Sequence, residues 1–242
     1  VQYTLLNTFV EPNMGSGAMI SLRNVLQKES TEGLKKELEF IQEKFADLEL
    51  VIQRRSEYGT LPRIINFIAK DEFFDFVVMG TKGETSGRWI MGSVAKSTIQ
   101  EVIVPVIVVP EEAVYKSLTK IVYATSLHED ETSLIKQITK LAAAYDASVT
   151  ILHVDNSVSD RSQNLMTMNE ILKENGYSKM DHKELIQFNV EDAITQYTEE
   201  HHTDLLAMTT YTTGILKKIF HHSVTNQLLL HTEIPMLVFN RK

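Results

Sequence analysis

The chain contains two copies of one sequence pattern, and this internal repeat constrains its fold more than any other feature. The segment Phe74–Met79 aligns with Thr203–Met208, 129 residues later. The segment Val104–Val109 aligns with Ile234–Phe239, 130 residues later, so that the single proline of each segment falls in register. Self-similarity of this kind is typical of a duplicated structural unit. We therefore expect two related modules, residues 1–112 and 118–242.

Each repeat alternates short apolar runs with helical periodicity. In the second repeat the β-branched run Lys120–Thr125 is followed by apolar residues at helical spacing, at Leu134, Ile138, Leu141 and Tyr145, and then by the run Ser148–Val154. Apolar strands that alternate with helices are typical of a parallel sheet buried on both faces. We expect an α/β fold in which each repeat is a doubly wound module of about five strands. The remaining elements of the second repeat are expected as a helix over Gln163–Glu174 and strands over Glu184–Phe188, Asp204–Thr209 and Met236–Phe239.

The first repeat begins at a later point of the pattern than the second. Val1 aligns with Ala147, so the strand and helix expected over Thr119–Asp146 have no counterpart in the first repeat. Because the first strand of a doubly wound sheet is usually central, a module without it would expose an unpaired edge. We therefore expect the chain to lack an N-terminal strand and helix. The connection Val10–Leu48 is also longer than its partner, and it carries a helix face formed by Leu34, Leu38, Ile41 and Phe45.

The composition argues against several classes of function. The 242 residues include no cysteine, which removes disulfides, thiolate metal sites and cysteine nucleophiles from consideration. The formal charge of −8 argues against a protein that binds the nucleic-acid backbone. No apolar run approaches the ~18 residues of a membrane span, so no membrane partner is expected. The absence of cysteine fits a cytoplasmic protein.

A glycine-rich motif follows one of the expected strands of the first repeat. Gly80-Thr-Lys-Gly83 is separated by eight residues from Gly92-Ser93, where a helix is expected to begin. Glycine lets backbone N–H groups approach a phosphate closely, and a helix N-terminus favours an anion. The carboxyl end of a parallel strand is also the usual ligand crevice of a doubly wound sheet. The alternative is a plain glycine turn in which Ser93 is an ordinary helix N-cap.

The repeat and the stretch Val77–Pro110, VVMGTKGETSGRWIMGSVAKSTIQEVIVPVIVVP, resemble the universal stress protein family. Members of that family carry Gly-x2-Gly and, after a loop, Gly-Ser or Gly-Thr, followed by a helix and a last apolar strand. The resemblance implies a flavodoxin-like or Rossmann-like sheet of strand order 3-2-1-4-5 in each module and, in some members, ATP or AMP binding. It assigns phosphate and ribose contacts to Gly80, Gly83, Gly92 and Ser93, an adenine contact to Thr8, and positions flanking the loop to Met79 and Val94.

Two departures from the family pattern bear on nucleotide binding. The loop between Gly83 and Gly92 is one residue shorter than usual; either Gly87 inside it absorbs the change, or the loop does not close on a triphosphate. Nucleotide-binding members also have an Asp at the end of the first strand. That position has no counterpart in the first repeat, and Ser126 occupies it in the second.

The second repeat has lost most of the glycine motif. Thr209 and Thr212 stand where the first repeat has its first two glycines, His222 replaces the third, and only the serine remains, as Ser223. Because threonine is β-branched and poorly suited to positive φ, a phosphate-binding backbone nest is not expected there. We therefore expect an adenine nucleotide in the first repeat only.

The last strand of each repeat offers a way for the two modules to associate. The segments Val104–Val109 and Ile234–Phe239 are expected at the edges of their sheets, and both are strongly apolar. Bare apolar edges invite pairing, and in the family such strands pair between modules. We expect an intrachain pseudo-dimer through these strands. Whether the chain also forms homo-oligomers stays an open question.

Other chemically suggestive residues have simpler interpretations. The pairs His201-His202 and His221-His222 can each give at most one ligand to a site, because neighbours on a helix point about 100° apart. We expect solvated or capping histidines and no metal site. Trp89 is expected either to cap the core edge or to act as a lid or partner contact. Ser126, His128 and Glu129 are neighbours in sequence, which does not establish a catalytic triad, so no catalytic residue is assigned.

Three functions fit these features. The first is a non-catalytic stress-response sensor or adaptor that binds ATP or AMP in its first repeat, as the family resemblance implies. The second is a weak ATP hydrolase or nucleotidyl transferase on the same scaffold, although no obvious general base or metal-binding carboxylate pair lies beside the motif. The third is an interaction module without a nucleotide site, which the short loop and the missing Asp favour.

Overall fold

A computed structural model of the chain describes residues 1–11, 19–81, 92–127, 131–155, 161–209 and 234–240. The chain forms two compact units, Val1–Phe73 and Phe74–Lys242. The division falls inside the first repeat, because the last two strands of that repeat belong to the same sheet as the strands of the second repeat.

The first unit contains a two-stranded parallel sheet and two helices. Its elements are β1 (Gln2–Phe9), α1 (Met19–Lys44), β2 (Val51–Tyr58) and α2 (Leu61–Ile68). The two strands pair along their whole length, from Gln2 opposite Val51 to Phe9 opposite Tyr58. A proline is tolerated in the first turn of α2, where its missing N–H costs no helical hydrogen bond, and it is buried there with Ile65 and Ile68.

The helix face expected between Val10 and Leu48 is present in part. Leu34 of α1 is buried, and Leu38 and Ile41 are half-buried. Phe45, expected on the same face, lies in the turn after α1 and is exposed. The apolar spacing continues past Lys44, but the helix ends there. The prediction that Phe45 lies on the helix face is therefore wrong.

The second unit contains the end of the first repeat and the second repeat. Its elements are β3 (Val77–Gly80), α3 (Ser93–Glu101), β4 (Val106–Val109), β5 (Lys120–Thr125), α4 (Thr132–Tyr145), β6 (Ser148–Asp155), α5 (Arg161–Asn175), β7 (Met180–Ile186), α6 (Val190–Glu200), β8 (Leu205–Thr209) and β9 (Met236–Phe239). The described strands of this unit form a seven-stranded sheet in the order β3-β4-β9-β8-β5-β6-β7.

The strands of the second repeat have the order expected of a doubly wound module. They run β7-β6-β5-β8-β9 and pair in parallel, which is order 3-2-1-4-5 counted within the repeat. The central strand β5 is buried from its second residue to its last, as its continuous apolar run predicts. The expected α/β fold is confirmed.

The described strands of the first repeat belong to two different sheets. By alignment, β1 and β2 correspond to β6 and β7, and β3 and β4 correspond to β8 and β9. No described strand of the first repeat corresponds to β5, so β1–β2 and β3–β4 belong to separate sheets. The compact units therefore divide at Phe73 and Phe74 rather than between the repeats.

Helix α4 buries its apolar face against the central strands. Ile135, Ile138 and Ala142 are fully buried in a core cluster that also contains Tyr123 of β5. Tyr145, which the sequence spacing places on the same face, is exposed. Of the predicted face, Leu134 and Ile138 are buried and Leu141 is half-buried, so the prediction is wrong only at its last residue.

The predicted pairing of the two last strands is confirmed. Strands β4 and β9 are antiparallel, and Ile107 lies opposite Leu237, its own counterpart in the other repeat. On either side, Val106 lies opposite Val238 and Val108 opposite Met236. Because each pair is the image of the other under exchange of the repeats, the two strands are related by a local pseudo-twofold axis.

Strand β7 differs from its expected position. The strand spans Met180–Ile186 rather than Glu184–Phe188, and Phe188 lies outside it with 96% of its surface exposed. β7 is the edge strand beside β6, and Asp181 and Lys183 are exposed on it. Charged residues on an edge strand discourage further pairing, and they also break the apolar run from which strands are predicted.

Candidate functional site

The glycine motif lies at the carboxyl end of β3, and the structure brings its two halves together. The Thr81 amide donates to the Val109 carbonyl at 3.1 Å, which continues the pairing of β3 with β4. The Gly92 amide then donates to the Thr81 carbonyl at 2.8 Å. Thr81 and Gly92, the described residues on either side of residues 82–91, are therefore joined at the carboxyl end of β3. Gly83, Gly87 and Trp89 lie between them, outside the described residues.

Helix α3 begins at this point without a side-chain cap. Gly92 is its N-cap residue, has φ −59° and ψ 150°, and offers no side chain to the amides of the first turn. The first-turn N–H groups of an α-helix have no acceptor within the helix, and they carry the positive end of its dipole. Ala95, Thr98 and Ile99 are buried and anchor the helix against the sheet. The arrangement offers rigidly held donors to an anion.

Ser93 is the first residue of α3 rather than its N-cap. The alternative that Ser93 is an ordinary N-cap is therefore wrong, since the preceding glycine occupies that position. The Ser93 side chain is exposed, so its hydroxyl adds a solvent-facing group beside the uncapped amides.

Neither of the two described glycines of the motif, Gly80 and Gly92, adopts the positive φ that would require a glycine. Among the described residues, the glycines with positive φ are Gly59 and Gly176, so neither Gly80 nor Gly92 adopts a conformation that only glycine tolerates. The argument from inward-turned amides is not supported at these two positions. Their remaining contribution is the absence of a side chain, which leaves room for close approach to the backbone.

The other residues assigned by resemblance fall in both compact units. Met79 is half-buried on β3 opposite Val108, and Val94 is exposed in the first turn of α3. Thr8 belongs to the first unit, where it lies near the end of β1 opposite Glu57 and is half-buried.

Two aromatic side chains and one cationic side chain cluster at the carboxyl ends of β1 and β2. Phe9 packs edge-on against Tyr58, and the Arg23 guanidinium lies 4.2 Å from the Tyr58 ring centre.

The corresponding edge of the second repeat is occupied by side chains. Thr209, at the position of Gly80, is buried at the end of β8. Thr212, His222 and Ser223 lie outside the described residues. At the end of β5, the Glu131 carboxylate accepts hydrogen bonds from the Thr125 hydroxyl and, at 3.4 Å, from the Ser126 hydroxyl.

Glu131 is a residue that the sequence analysis missed. It is the N-cap of α4, it is 1% exposed, and it lies directly beyond the strand whose end carries Ser126. Directly after β5, Leu127 has φ 60° and its amide donates to the Thr125 hydroxyl at 2.8 Å. The signal available in the sequence is an acidic residue just before a helix and shortly after two hydroxyl residues. A carboxylate in this crevice disfavours a second anion.

The histidines at the end of α6 act as helix-capping residues. His201 is the C-cap residue, its Nδ1 lies 2.9 Å from the Tyr197 carbonyl, and its ring stacks on the Tyr197 ring at 3.9 Å. The His202 amide donates to the Glu199 carbonyl with φ 51°, which ends the helix. The capping role expected for this pair is confirmed, while His221 and His222 lie outside the described residues. Within the described residues, no three His, Asp or Glu side chains are grouped so that they could hold a metal ion.

None of the helices that the structure describes has both the length and the apolar character that crossing a membrane requires.

The two repeats define a tandem α/β protein whose first repeat carries the glycine motif at the carboxyl end of β3. A family model described as the universal stress protein family matches residues 2–110 and 117–240. The chain therefore belongs to the universal stress protein family, and the resemblance stated from the sequence is confirmed.

Individual relatives agree with this assignment. The chain is 26% identical over 170 residues to a universal stress protein of Synechocystis sp., an alignment that covers 69% of this chain and 58% of that protein. The crystal structure of a universal stress protein from Archaeoglobus fulgidus matches with a TM-score of 0.73 and 16% identity, covering 100% of this chain and 89% of that chain. A structure of a Pseudomonas aeruginosa protein matches with a TM-score of 0.57 and 13% identity, covering 98% and 92%. At these identities the solved structures support the fold.

Proposed function

We propose that the protein is a non-catalytic stress-response sensor or adaptor whose first repeat binds the phosphates of an adenine nucleotide, ATP or AMP. The observation that carries the proposal is the backbone contact that joins the two ends of the glycine motif. The Gly92 amide bonds the Thr81 carbonyl at 2.8 Å, and the same glycine leaves α3 without a side-chain cap. First-turn amides that receive no side-chain cap from the N-cap residue are suited to bind a phosphate.

The roles proposed for individual residues follow from what each offers. Gly80 and Gly92 would admit the phosphate close to the backbone, and the Ser93 hydroxyl would donate to a phosphate oxygen. The family resemblance gives Gly83 a phosphate or ribose contact. It places Met79 and Val94 on either side of the loop, and these roles stay predictions. The adenine contact of Thr8 also rests on the resemblance and stays a prediction.

The second repeat is proposed to bind no nucleotide in this manner. The buried Glu131 carboxylate occupies the end of β5, where it would repel a phosphate, and Thr209 puts a β-branched side chain in place of the first glycine. The modules that we propose to differ in this way are residues 1–112 and 118–242. A cytoplasmic location, expected from the absence of cysteine, also stays a prediction.

A catalytic role is less well supported by the described residues. In the segments Val77–Thr81 and Gly92–Glu101, Glu101 is the one carboxylate, and it lies at the far end of α3. Glu101 lies eight positions after Ser93 in the helix, which is a distance of about 12 Å at 1.5 Å per residue. This carboxylate cannot serve as the base for a water attacking a phosphate bound at the start of α3. A weak ATP hydrolase therefore remains the alternative rather than the proposal.

Isothermal titration calorimetry of the full chain with ATP and with AMP tests the proposal. We expect one site per chain, and we expect Gly92→Val to abolish binding because its side chain would enter the space above the first-turn amides. Ser93→Ala should weaken binding by several-fold. Ser223→Ala, the same substitution at the aligned position of the second repeat, is the matched control and should leave affinity unchanged.

Two results would replace the proposal by one of its alternatives. No heat of binding for either nucleotide would favour an interaction module without a nucleotide site. Steady release of phosphate from ATP with magnesium, lost in the Gly92→Val variant, would favour the hydrolase. Unchanged affinity in Gly92→Val would move the site away from this loop.

A further inference from the structure

Helix α3 presents the proposed phosphate-binding amides at its start, so the contacts that fix the position of this helix also shape the site. The helix has nine residues, Ser93–Glu101. Because a helix of this length is not stable by itself, its position depends on contacts with the rest of the protein. Its buried residues are Ala95, Thr98 and Ile99, of which only Ile99 has a large apolar side chain. Polar contacts at the two ends therefore help to fix where the helix lies along its axis.

Each end of α3 is hydrogen-bonded to a different repeat. At its start, the Gly92 amide donates to the Thr81 carbonyl at 2.8 Å, at the carboxyl end of β3 in the first repeat. At its end, the Gln100 carbonyl accepts a hydrogen bond from the Asn240 side-chain amide, also at 2.8 Å. Asn240 belongs to the second repeat. A side chain of that repeat is therefore in direct contact with the helix that carries the proposed site of the first.

Asn240 is attached to a rigid part of the sheet. It directly follows β9, whose four residues are all buried and which pairs with β4 on one side and β8 on the other. Strands in the middle of a buried sheet are among the last parts of a protein to open. Since β9 and β4 are antiparallel, with Val238 opposite Val106, the end of β9 lies beside the start of β4, to which α3 leads. The Asn240 side chain thus ties the end of α3 to the centre of the sheet.

The bond from Asn240 satisfies a backbone group that the helix leaves open. The last four carbonyls of an α-helix have no partner within the helix, and they carry the negative end of its dipole. Gln100 is the last residue but one of α3, so its carbonyl is one of these four. A side-chain N–H at this carbonyl stabilises the end of the helix in the position that β9 dictates.

The two repeats differ at the position of this donor. Asn240 aligns with Pro110, 130 residues earlier, and proline has no side-chain donor. The first repeat therefore cannot make the same bond from the residue after its own last strand. The repeat that has lost the glycine motif carries the donor, and the donor reaches the helix of the repeat that has kept the motif. This asymmetry is expected if the contact serves the phosphate site rather than the fold that both repeats share.

We propose that Asn240 is a positioning residue of the phosphate site. Its bond to Gln100 fixes the axial position of α3 and thereby aligns the first-turn amides with a bound phosphate. Gln100 lies seven positions after Ser93, about 10 Å along the helix, so Asn240 acts through the helix and does not touch the nucleotide. This inference rests on the proposed function of the first repeat. Because coupling between two sites is reciprocal, a phosphate bound at the start of α3 should also strengthen the contact at its end.

The test combines titration calorimetry of the full chain, with ATP and with AMP, and hydrogen exchange of the α3 amides. Asn240→Ala should weaken nucleotide binding about threefold to fivefold, the effect of one hydrogen bond. Asn240→Gln keeps the donor on a longer side chain and should recover part of the affinity. In the wild type, nucleotide should slow the exchange of the amides of residues 97–101, and this effect should be smaller in Asn240→Ala. Circular dichroism establishes that both variants fold.

The matched control is Asn169→Ala, which removes an exposed side-chain amide from α5 of the second repeat. Nucleotide affinity and the exchange of α3 should not change in this variant. Equal affinity in the wild type and Asn240→Ala would overturn this inference and leave the proposed function intact. Weaker binding with unchanged exchange of α3 would also overturn it, because Asn240 would then act by another route. If the wild type binds neither ATP nor AMP, the proposed function fails and this inference fails with it.

Discussion

Asp204 offers a quantitative test of how the second repeat is held together. Its carboxylate joins the segment before β8 to the first residues of β5 through three hydrogen bonds, at 2.7 to 2.9 Å. Burial raises the pKa of this carboxyl, but the hydrogen bonds from Thr119 and Lys120 and the charge of Lys116 outweigh it, so the pKa lies below its ordinary value of 3.8. The ionised form is therefore the one that stabilises the fold.

Replacing Asp204 with Asn keeps one acceptor oxygen but removes the charge. A hydrogen bond to a charged group contributes about 1.5–3 kcal/mol, and partial exposure of Asp204 places the loss at the low end or below it, near 1 kcal/mol. For a unit of this size, such a loss lowers Tm by roughly 2–4 °C. Asp75→Asn is the same substitution at the aligned position of the first repeat, 129 residues earlier, where the carboxylate holds no strand among the described residues, and it should change stability by less than about 0.5 kcal/mol.

The pH dependence gives the sign of the effect. Because the pKa is lower in the folded state than in the unfolded chain, the stabilisation is fully present above the unfolded pKa near 3.8. It is lost as pH falls through the folded pKa. Urea unfolding at pH 7 and at about pH 3 should therefore show a difference between wild type and Asp204→Asn that shrinks in acid. An equal difference at both pH values would show that charge at this carboxylate is not what holds β5.

Three further substitutions test other parts of the structure. Glu131→Ala should lower the free energy of unfolding by about 1–3 kcal/mol in urea, because it leaves the buried Thr125 hydroxyl without its acceptor. Leu237→Ala should cost about 2–5 kcal/mol, since this fully buried side chain lies at the centre of the β4–β9 pairing, and a loss below 1 kcal/mol would argue against that pairing. Phe188→Ser should change stability by less than about 0.5 kcal/mol, as expected for a residue outside β7 that buries almost nothing, and a large loss would restore the strand boundary predicted from sequence.

Strand limits were predictable from sequence where burial is complete. The prediction failed where burial is partial. The limits of β5 and β9 agree with prediction because each is a continuous apolar run covered on both faces. Among the described strands β7 pairs with β6 alone, and it carries exposed charges, so the apolar signal favoured Ile186 and Phe188, which lie at or beyond its end. Edge strands give a weaker periodic signal for this reason.

The candidate site was predictable in its location but not in its details. The motif indicated the end of β3 and the start of α3, and both are present there. The backbone argument for Gly80 and Gly92 is not supported, because conformation depends on how the loop joins the sheet, which spacing does not specify. Glu131 was missed because its role depends on a hydrogen bond from the Thr125 hydroxyl, a contact that sequence spacing alone does not specify.

The pairing of β4 with β9 accounts for how one chain can hold two unequal repeats. Ile107 faces Leu237, its own counterpart, so the contact has the geometry of a symmetric dimer interface although both strands belong to one chain. In a symmetric dimer a substitution appears on both sides of the axis at once. In the fused chain each side changes separately, so the second repeat could acquire Thr209 and His222 while the first kept its glycines. The interface constrains only the strands that meet at the axis, and it leaves the carboxyl-edge loops of each repeat free to diverge.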